Sequence, residues 1–193
     1  MRLNDVLKLP KQPHSLSIIK DFLNQSLSHL DYQAAYNYYF EIAIELSLFD
    51  IVYDEAKAVL SEIKTQSETL YHEKILKHAI DAAIHLNHLN EAKKYIEERK
   101  EVLPVIKQYL GFLDDIKLKK ALNEPYLEDL LKIMQDMIPD DVKIYCLEEI
   151  FAIYQNDQQY QMALNTLYDL YNYDLRSKYF LDELSLLIEL NQL

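Results

Sequence analysis

The sequence predicts an all-α chain built as a stack of antiparallel helix pairs, and three observations point there. The 193 residues include a single glycine, Gly111, whereas sheets joined by tight turns draw on glycine for their positive backbone dihedrals. The tetrapeptide Asp54-Glu55-Ala56-Lys57 returns as Asn90-Glu91-Ala92-Lys93, 36 residues on (92 − 56). A third small residue, Ala163 in Tyr160-Gln161-Met162-Ala163-Leu164, follows 71 residues later (163 − 92), close to twice that period. Recurrence near this length marks units that bury their apolar faces only against their neighbours. Finally, apolar residues recur at helical spacing between short polar joints.

The elements follow in order. Residues 1–13 carry Pro10 and Pro13 with little periodicity and read as an extended N-terminal arm; residues 14–193 read as one helical repeat domain. From Ser15 the helical period takes over with Leu16, Ile19, Phe22, Leu23 and Leu27. Nine more helices are expected at about 31–48, 51–65, 67–87, 90–102, 104–121, 124–137, 139–155, 158–171 and 174–191, making about ten. Ser67, Asn123 and Asp157 are read as N-caps, whose side-chain oxygens accept from unpaired amides of the first turn. Pro104, Pro125 and Pro139 fall at or near first-turn positions, where proline forfeits no hydrogen bond. Asp140 and Asp141 place negative charge at the positive end of a helix dipole. Asn87 and Asn156 are expected to take the left-handed conformation that glycine usually supplies. Joints this short force neighbouring helices antiparallel.

Composition bounds the function. Lys and Arg total 20 against 32 Asp and Glu, a net charge of −12, whereas nucleic-acid binders need a basic surface to displace counterions from phosphates. Lys117, Lys119 and Lys120 follow Asp114-Asp115 and read as a solvated helix face, so no nucleic-acid partner is expected. The lone cysteine, Cys146, cannot form an internal disulfide and shares a face with Ile150, the pattern of a buried structural thiol in a reducing compartment. The opening Met1-Arg2-Leu3-Asn4-Asp5 lacks a signal-peptide core. No run approaches the roughly 18 apolar residues of a membrane span. A cytoplasmic protein with no membrane partner is expected.

The chain resembles the tetratricopeptide repeat family, whose units are helix pairs of about 34 residues. Aligning that family's second-helix alanine with Ala56, Ala92 and Ala163 puts Phe40, Ala43, Ile44 and Ser47 at first-helix packing positions. The next unit has Leu76, Ala79, Ile80 and Ala83 there, and the later one Leu147, Ile150, Phe151 and Tyr154. Second-helix positions become Leu60 and Ile63, Ile96 and Arg99, and Leu167 and Leu170, with Pro104 as the closing proline. Ser47 and Arg99 are the polar exceptions. The family's tryptophan and both its glycines are missing, and 104–137 falls out of register, with Asp115 and Lys119 at packing positions. The resemblance covers roughly 31–175 and implies a right-handed superhelical stack, an α-solenoid of about ten helices.

In that family the first helices line a concave groove that holds extended peptides or partner tails. The resemblance places Tyr38, Glu41 and Glu45 there, then Lys74, Lys77, Asp81 and His85, then Tyr145, Glu148 and Gln155. The middle set is also visible in the residues themselves, since Lys74, Lys77, His78, Asp81, His85 and His88 form a polar stripe at steps of three or four. That stripe reads either as solvated surface or as a groove lining. His78, Asp81 and His85 have spacing suited to one metal ion, but three ligands on one helix sit awkwardly for tetrahedral geometry, so no metal and no cofactor is assigned. No phosphate loop, nucleophile elbow or paired-cysteine motif occurs, and no catalytic residue is assigned. Among the crowded tyrosines, Tyr38 is the one expected to be accessible.

The expected function is a non-catalytic scaffold for a protein or peptide partner. The alternatives are a regulatory sensor of the signalling-peptide receptor type, although no DNA-binding head is visible, and a metal-dependent hydrolase at His78, Asp81 and His85. The ending Leu190-Asn191-Gln192-Leu193 echoes Leu86-Asn87-His88-Leu89. With Phe180, Leu181, Leu184, Leu186, Leu187 and Ile188 on its last helix, the sequence suggests a longer repeat protein or self-association through that helix.

Overall fold

The structure, a computed structural model, describes residues 2–25, 27–62, 69–173 and 175–190. These form eleven helices: α1 (Leu3–Val6), α2 (Pro13–Leu23), α3 (His29–Glu45), α4 (Phe49–Glu62), α5 (Thr69–His85), α6 (Leu89–Val102), α7 (Gln108–Leu122), α8 (Leu127–Ile133), α9 (Asp140–Asn156), α10 (Tyr160–Tyr171) and α11 (Arg176–Glu189). A 3-10 turn, Val105–Lys107, leads into α7. No strand occurs among the described residues, so the chain is all-α with helices packed between neighbours. No described helix is long and apolar enough to cross a membrane. Where the sequence suggests one domain over 14–193, the chain separates into two compact units, Met1–Leu122 and Asn123–Leu193.

In the first unit, side-chain contacts sort the helices into two rows. Phe40 of α3 stacks on His78 of α5, ring centroids 4.8 Å apart, and Lys117 of α7 reaches Asp81 of α5 at 2.7 Å. On the other side, Lys20 of α2 pairs with Glu55 of α4, and Tyr53 of α4 meets the His88 ring at the head of α6. Between the rows lie Ile19, Phe22, Phe40, Ile42, Ile75, Leu76, Ile80 and Ile96. Burial of each large side chain of this kind stabilises by about 1.5–3 kcal/mol. The only glycine makes a close approach rather than a turn: a Cβ on Gly111 of α7 would lie 2.6 Å from Lys100 Cγ of α6.

Residues 2–13 differ from the arm expected over 1–13. Leu3–Val6 is helical, Val6 is fully buried, and Leu3 and Leu9 pack against the core. Apolar residues every third position give this segment an inward face, and Ser15 Oγ donates to the Pro10 carbonyl at 2.6 Å, tying it to the head of α2.

The joints carry the repeat. Ser47, Asn87, Asn123 and Gln158 have φ of 57°, 59°, 55° and 59°, at intervals of 40 (87 − 47), 36 (123 − 87) and 35 (158 − 123). At three of them the same pair of bonds closes the helix: Leu48 N to Ala43 O at 2.9 Å, His88 N to Ala83 O at 2.8 Å and Gln159 N to Tyr154 O at 2.8 Å, each with a shorter-range bond one residue earlier. This is the Schellman closure, which satisfies orphan carbonyls by turning one residue left-handed. Asn87 is where the sequence places it. The other joint assignments change. Gln158, not Asn156, is left-handed, Asp157 caps the C-terminus of α9, and Asn123 is left-handed beyond the end of α7. Ser28 is a side-chain N-cap, its Oγ accepting from the Asp31 amide at 3.2 Å. Ser67 lies outside the described residues.

The joints also correct the phase of the first pair. Counting from the left-handed residue, Ala92 and Ala163 correspond to Val52, and Ala56 lies one turn further on, level with Ile96 and Leu167. The first-helix packing set becomes Tyr36, Tyr39, Phe40 and Ala43, all buried. Ile44 is only half-buried, and Ser47 is the exposed hinge itself, which explains why a polar residue stood at a supposed packing position.

A non-glycine residue in the left-handed region costs roughly 1–2 kcal/mol, least for asparagine. Asn87→Val should therefore lower unfolding free energy by about that amount in urea titration, while Asn87→Gly should leave it unchanged or raise it slightly.

Candidate functional site

The predicted groove residues of α3 are gathered around the N-terminal segment. Tyr38 is half-buried, and its hydroxyl donates to the Leu9 carbonyl at 2.5 Å. Lys11 pairs with Glu45 at 2.7 Å. The Glu45 hydrogen bond, then the charges of Glu45 and Glu41, raise the Lys11 pKa. Tyr38 is thus not the freely accessible anchor that the sequence suggests. Residues 9–11 lie over α3, with a backbone carbonyl on one groove residue and an ammonium on another.

On α5, Lys74, Lys77 and His85 are exposed, and Asp81 is half-buried in its pair with Lys117. The histidines of the polar stripe are aromatic contacts as much as polar ones. His85 stacks on Phe49 of α4 at 3.8 Å with planes 11° apart. His78 turns between the first-row helices onto Phe40, with its Nδ1 buried and without a hydrogen-bond partner. Burial, then the charge of Lys77, lowers its pKa from 6.5 to about 4. Asn37, at the α3 position corresponding to Lys77, likewise has a buried Oδ1 without a partner.

The most highly charged part of the interior lies where α5, α6 and α7 meet. Arg99 of α6 is 3% exposed yet occupies the position of Val59 and Leu170 in the other second helices. Its guanidinium donates to Glu73 of α5, from Nε at 3.0 Å and from a second nitrogen, and to Asp114 of α7. Lys117 continues the chain, 3.5 Å from Asp114 and 2.7 Å from Asp81. Beside it, Lys100 pairs with Asp115 at 2.8 Å and Glu97 at 2.9 Å. Gln108 closes the end of α6 by donating to the carbonyls of Lys100 and Leu103. Asp115, at a supposed packing position, is therefore an ion-pair partner. The sequence signal for this cluster was Arg99 itself, since a buried cation requires carboxylates close by. Its partners, 26 and 15 residues away, follow no helical spacing.

The remaining predicted residues belong to the second unit. Tyr145 of α9 is half-buried, its phenol pushed up to about 12 by burial and then by the charge of Glu149. Gln155 is half-buried. Glu148 accepts from Lys178 at 2.6 Å and from Tyr179 at 2.5 Å, both on α11. Burial opposes the charge of Glu148, but these two bonds hold its carboxyl below the usual range. Here α11 covers what the sequence suggests as open groove. Cys146 is buried and its thiol pushed up to about 11, by burial first and Glu149 second, as suits an inert packing residue.

His78, Asp81 and His85 do not converge: one ring is held by Phe40, the carboxylate by Lys117 and the other ring by Phe49. Among the described residues no group of three His, Cys, Asp or Glu is placed to hold a metal ion. No family model, curated protein or solved structure matches this chain. Its class rests on the fold: an all-α protein of helices packed between neighbours, with α3, α5 and α7 forming one row in the first unit.

Arg99→Met removes the cation from the buried Glu73 carboxylate and leaves Asp114 with Lys117 alone, and should cost about 3–5 kcal/mol in chemical denaturation. Adding Glu73→Ile and Asp114→Asn should recover most of that loss. A second expectation concerns pH. His78 is harder to protonate folded than unfolded, so its contribution is complete above about 6.5 and declines as pH falls toward 4, by about 3 kcal/mol over that window. His78→Phe should flatten the decline when unfolding free energy is followed from pH 7 to 4.5.

Proposed function

We propose that this chain is a non-catalytic binding module of the tetratricopeptide-like kind, whose row of first helices takes an extended segment of a protein or peptide partner. The supporting observation is the chain's own segment over α3: the Leu9 carbonyl accepts from Tyr38, and Lys11 sits between Glu45 and Glu41. A backbone carbonyl and an ammonium of a turn-rich segment are held against this row by a side-chain donor and a carboxylate, the two kinds of contact that peptide capture in a groove uses. The neighbouring helix offers Lys74 and Lys77, both exposed, with His85 a turn beyond Asp81. A ligand continuing from α3 to α5 meets acids first and cations next. Its complement is a segment of mixed charge, basic at one end and acidic at the other.

Peptides selected by display against the protein provide the probe. With the tightest of them, amide shift changes in NMR should centre on α3 and α5. Lys74→Glu with Lys77→Glu should weaken binding at least tenfold, about 1.4 kcal/mol, with little change in melting temperature because both side chains are exposed. Unchanged affinity, or shift changes confined to other helices, removes this row as the ligand surface.

A further inference from the structure

The strap that joins α1 to α2 supplies a cation to two acids of α3. Counting back from the left-handed hinges, Glu41 of α3 corresponds to Asp81 of α5. Asp81 takes its cation from the next first helix, Lys117 of α7 at 2.7 Å. Among the described residues, the cation beside Glu45 and Glu41 comes instead from the strap, as Lys11, 2.7 Å from Glu45. Two residues earlier the Leu9 carbonyl accepts from Tyr38, and the Leu9 side chain packs against the core. The other described hydrogen bonds of the strap are local: Leu9 N to Val6 O at 3.0 Å, Gln12 N to Pro10 O at 2.9 Å and Ser15 Oγ to Pro10 O at 2.6 Å. Its anchors lie beyond both ends, at the buried Val6 and at Ser15 and Leu16 of α2. Every residue between them is exposed except the half-buried Leu9. Lifting residues 9–12 therefore breaks two polar contacts to α3 and uncovers one apolar side chain, with both anchors in place.

We propose that Leu9-Pro10-Lys11 is an internal copy of the ligand, filling the α3 end of the row until a partner segment of the same chemistry displaces it. That chemistry is an apolar residue two places before a lysine or arginine. The apolar side chain takes the place of Leu9, its carbonyl accepts from Tyr38, and the cation meets Glu45 and Glu41. This rests on α3 and α5 being the ligand row, and adds to it a motif and a built-in competitor. The contacts given up are weak. One hydrogen bond and one solvent-exposed ion pair hold the strap on the row, each a small net contribution, and salt screens the second. A ligand that also reaches the exposed Lys74 and Lys77 gains contacts that the strap lacks, so it replaces the strap. The apparent affinity is then the intrinsic one reduced by the fraction of molecules whose strap is lifted.

Display-selected peptides that shift α3 and α5 amides should carry an apolar residue two places before a lysine or arginine. Titrating the tightest of them into the wild-type protein should move the amide signals of Leu9, Lys11 and Gln12 toward unstructured values, while those of Leu16 and Ile19 stay. Lys11→Ala removes the competing cation and should tighten that peptide about two- to fivefold. Lys8→Ala, an equal change of charge on the same strap, should leave the affinity unchanged. Both side chains are exposed, so neither variant disturbs the fold. Replacing the basic residue of the peptide by alanine should abolish the gain from Lys11→Ala. Three results overturn the proposal and leave the row intact as a ligand surface: peptides that bind it without that spacing, equal affinity for wild type and Lys11→Ala, or binding that leaves the Leu9, Lys11 and Gln12 signals in place. Selected peptides whose shift changes lie on other helices overturn both the proposal and the row.

Discussion

Among the described residues the hairpins α3/α4, α5/α6 and α9/α10 each turn on one residue held at positive φ, and with a single glycine in the sequence that residue is Ser47, Asn87 or Gln158. The hinge fixes where one helix stops and the next begins, and hence which side chains of each helix face inward. From it follow the burial of Tyr36, Phe40 and Ala43 in α3 and of Leu76, Ile80 and Ala83 in α5. Conformational strain at the hinge is offset by the carbonyls it satisfies and by the apolar surface that the hairpin buries.

Much of this is legible in the sequence, and the exceptions have a common cause. A helix-rich chain, its approximate period and the left-handed Asn87 follow from glycine scarcity and recurrence. The phase of the first pair does not, because its interval exceeds the next by four residues, just over one helical turn. Positions i and i+4 share a helix face, so matching Ala56 to Ala92 slips the alignment by a turn and still returns a mostly apolar pattern. Ser47, a polar residue at a packing position of that alignment, marks the slip. The N-terminal segment is illegible for a different reason: two prolines obscure a three-residue apolar spacing that only the core beneath makes meaningful. Of the groove residues, Lys74, Lys77 and His85 are exposed as a binding row requires. Glu148 is bonded by α11, which depends on tertiary contact that no local pattern encodes.

Arg99 shows how charge enters the interior without breaking the repeat. A buried ion pair is weak evidence for stability but strong evidence for placement, because its geometry admits few alternatives. Here it joins α5, α6 and α7 through Glu73 and Asp114, and Lys117 extends it to Asp81 on the helix that carries Lys74 and Lys77. The proposed ligand row is thereby held by the same ions that fill the core beneath it.

The phase set by the hinges is tested most directly by nuclear Overhauser contacts of the His78 ring. The account expects strong cross-peaks between His78 and the Phe40 ring, whose centroids lie 4.8 Å apart, and weak or absent ones to Ile44. Strong contacts from His78 to Ile44 with none to Phe40 would mean that α3 sits one turn away, phased by the tetrapeptide match, and would contradict the rows and the ligand surface built on them.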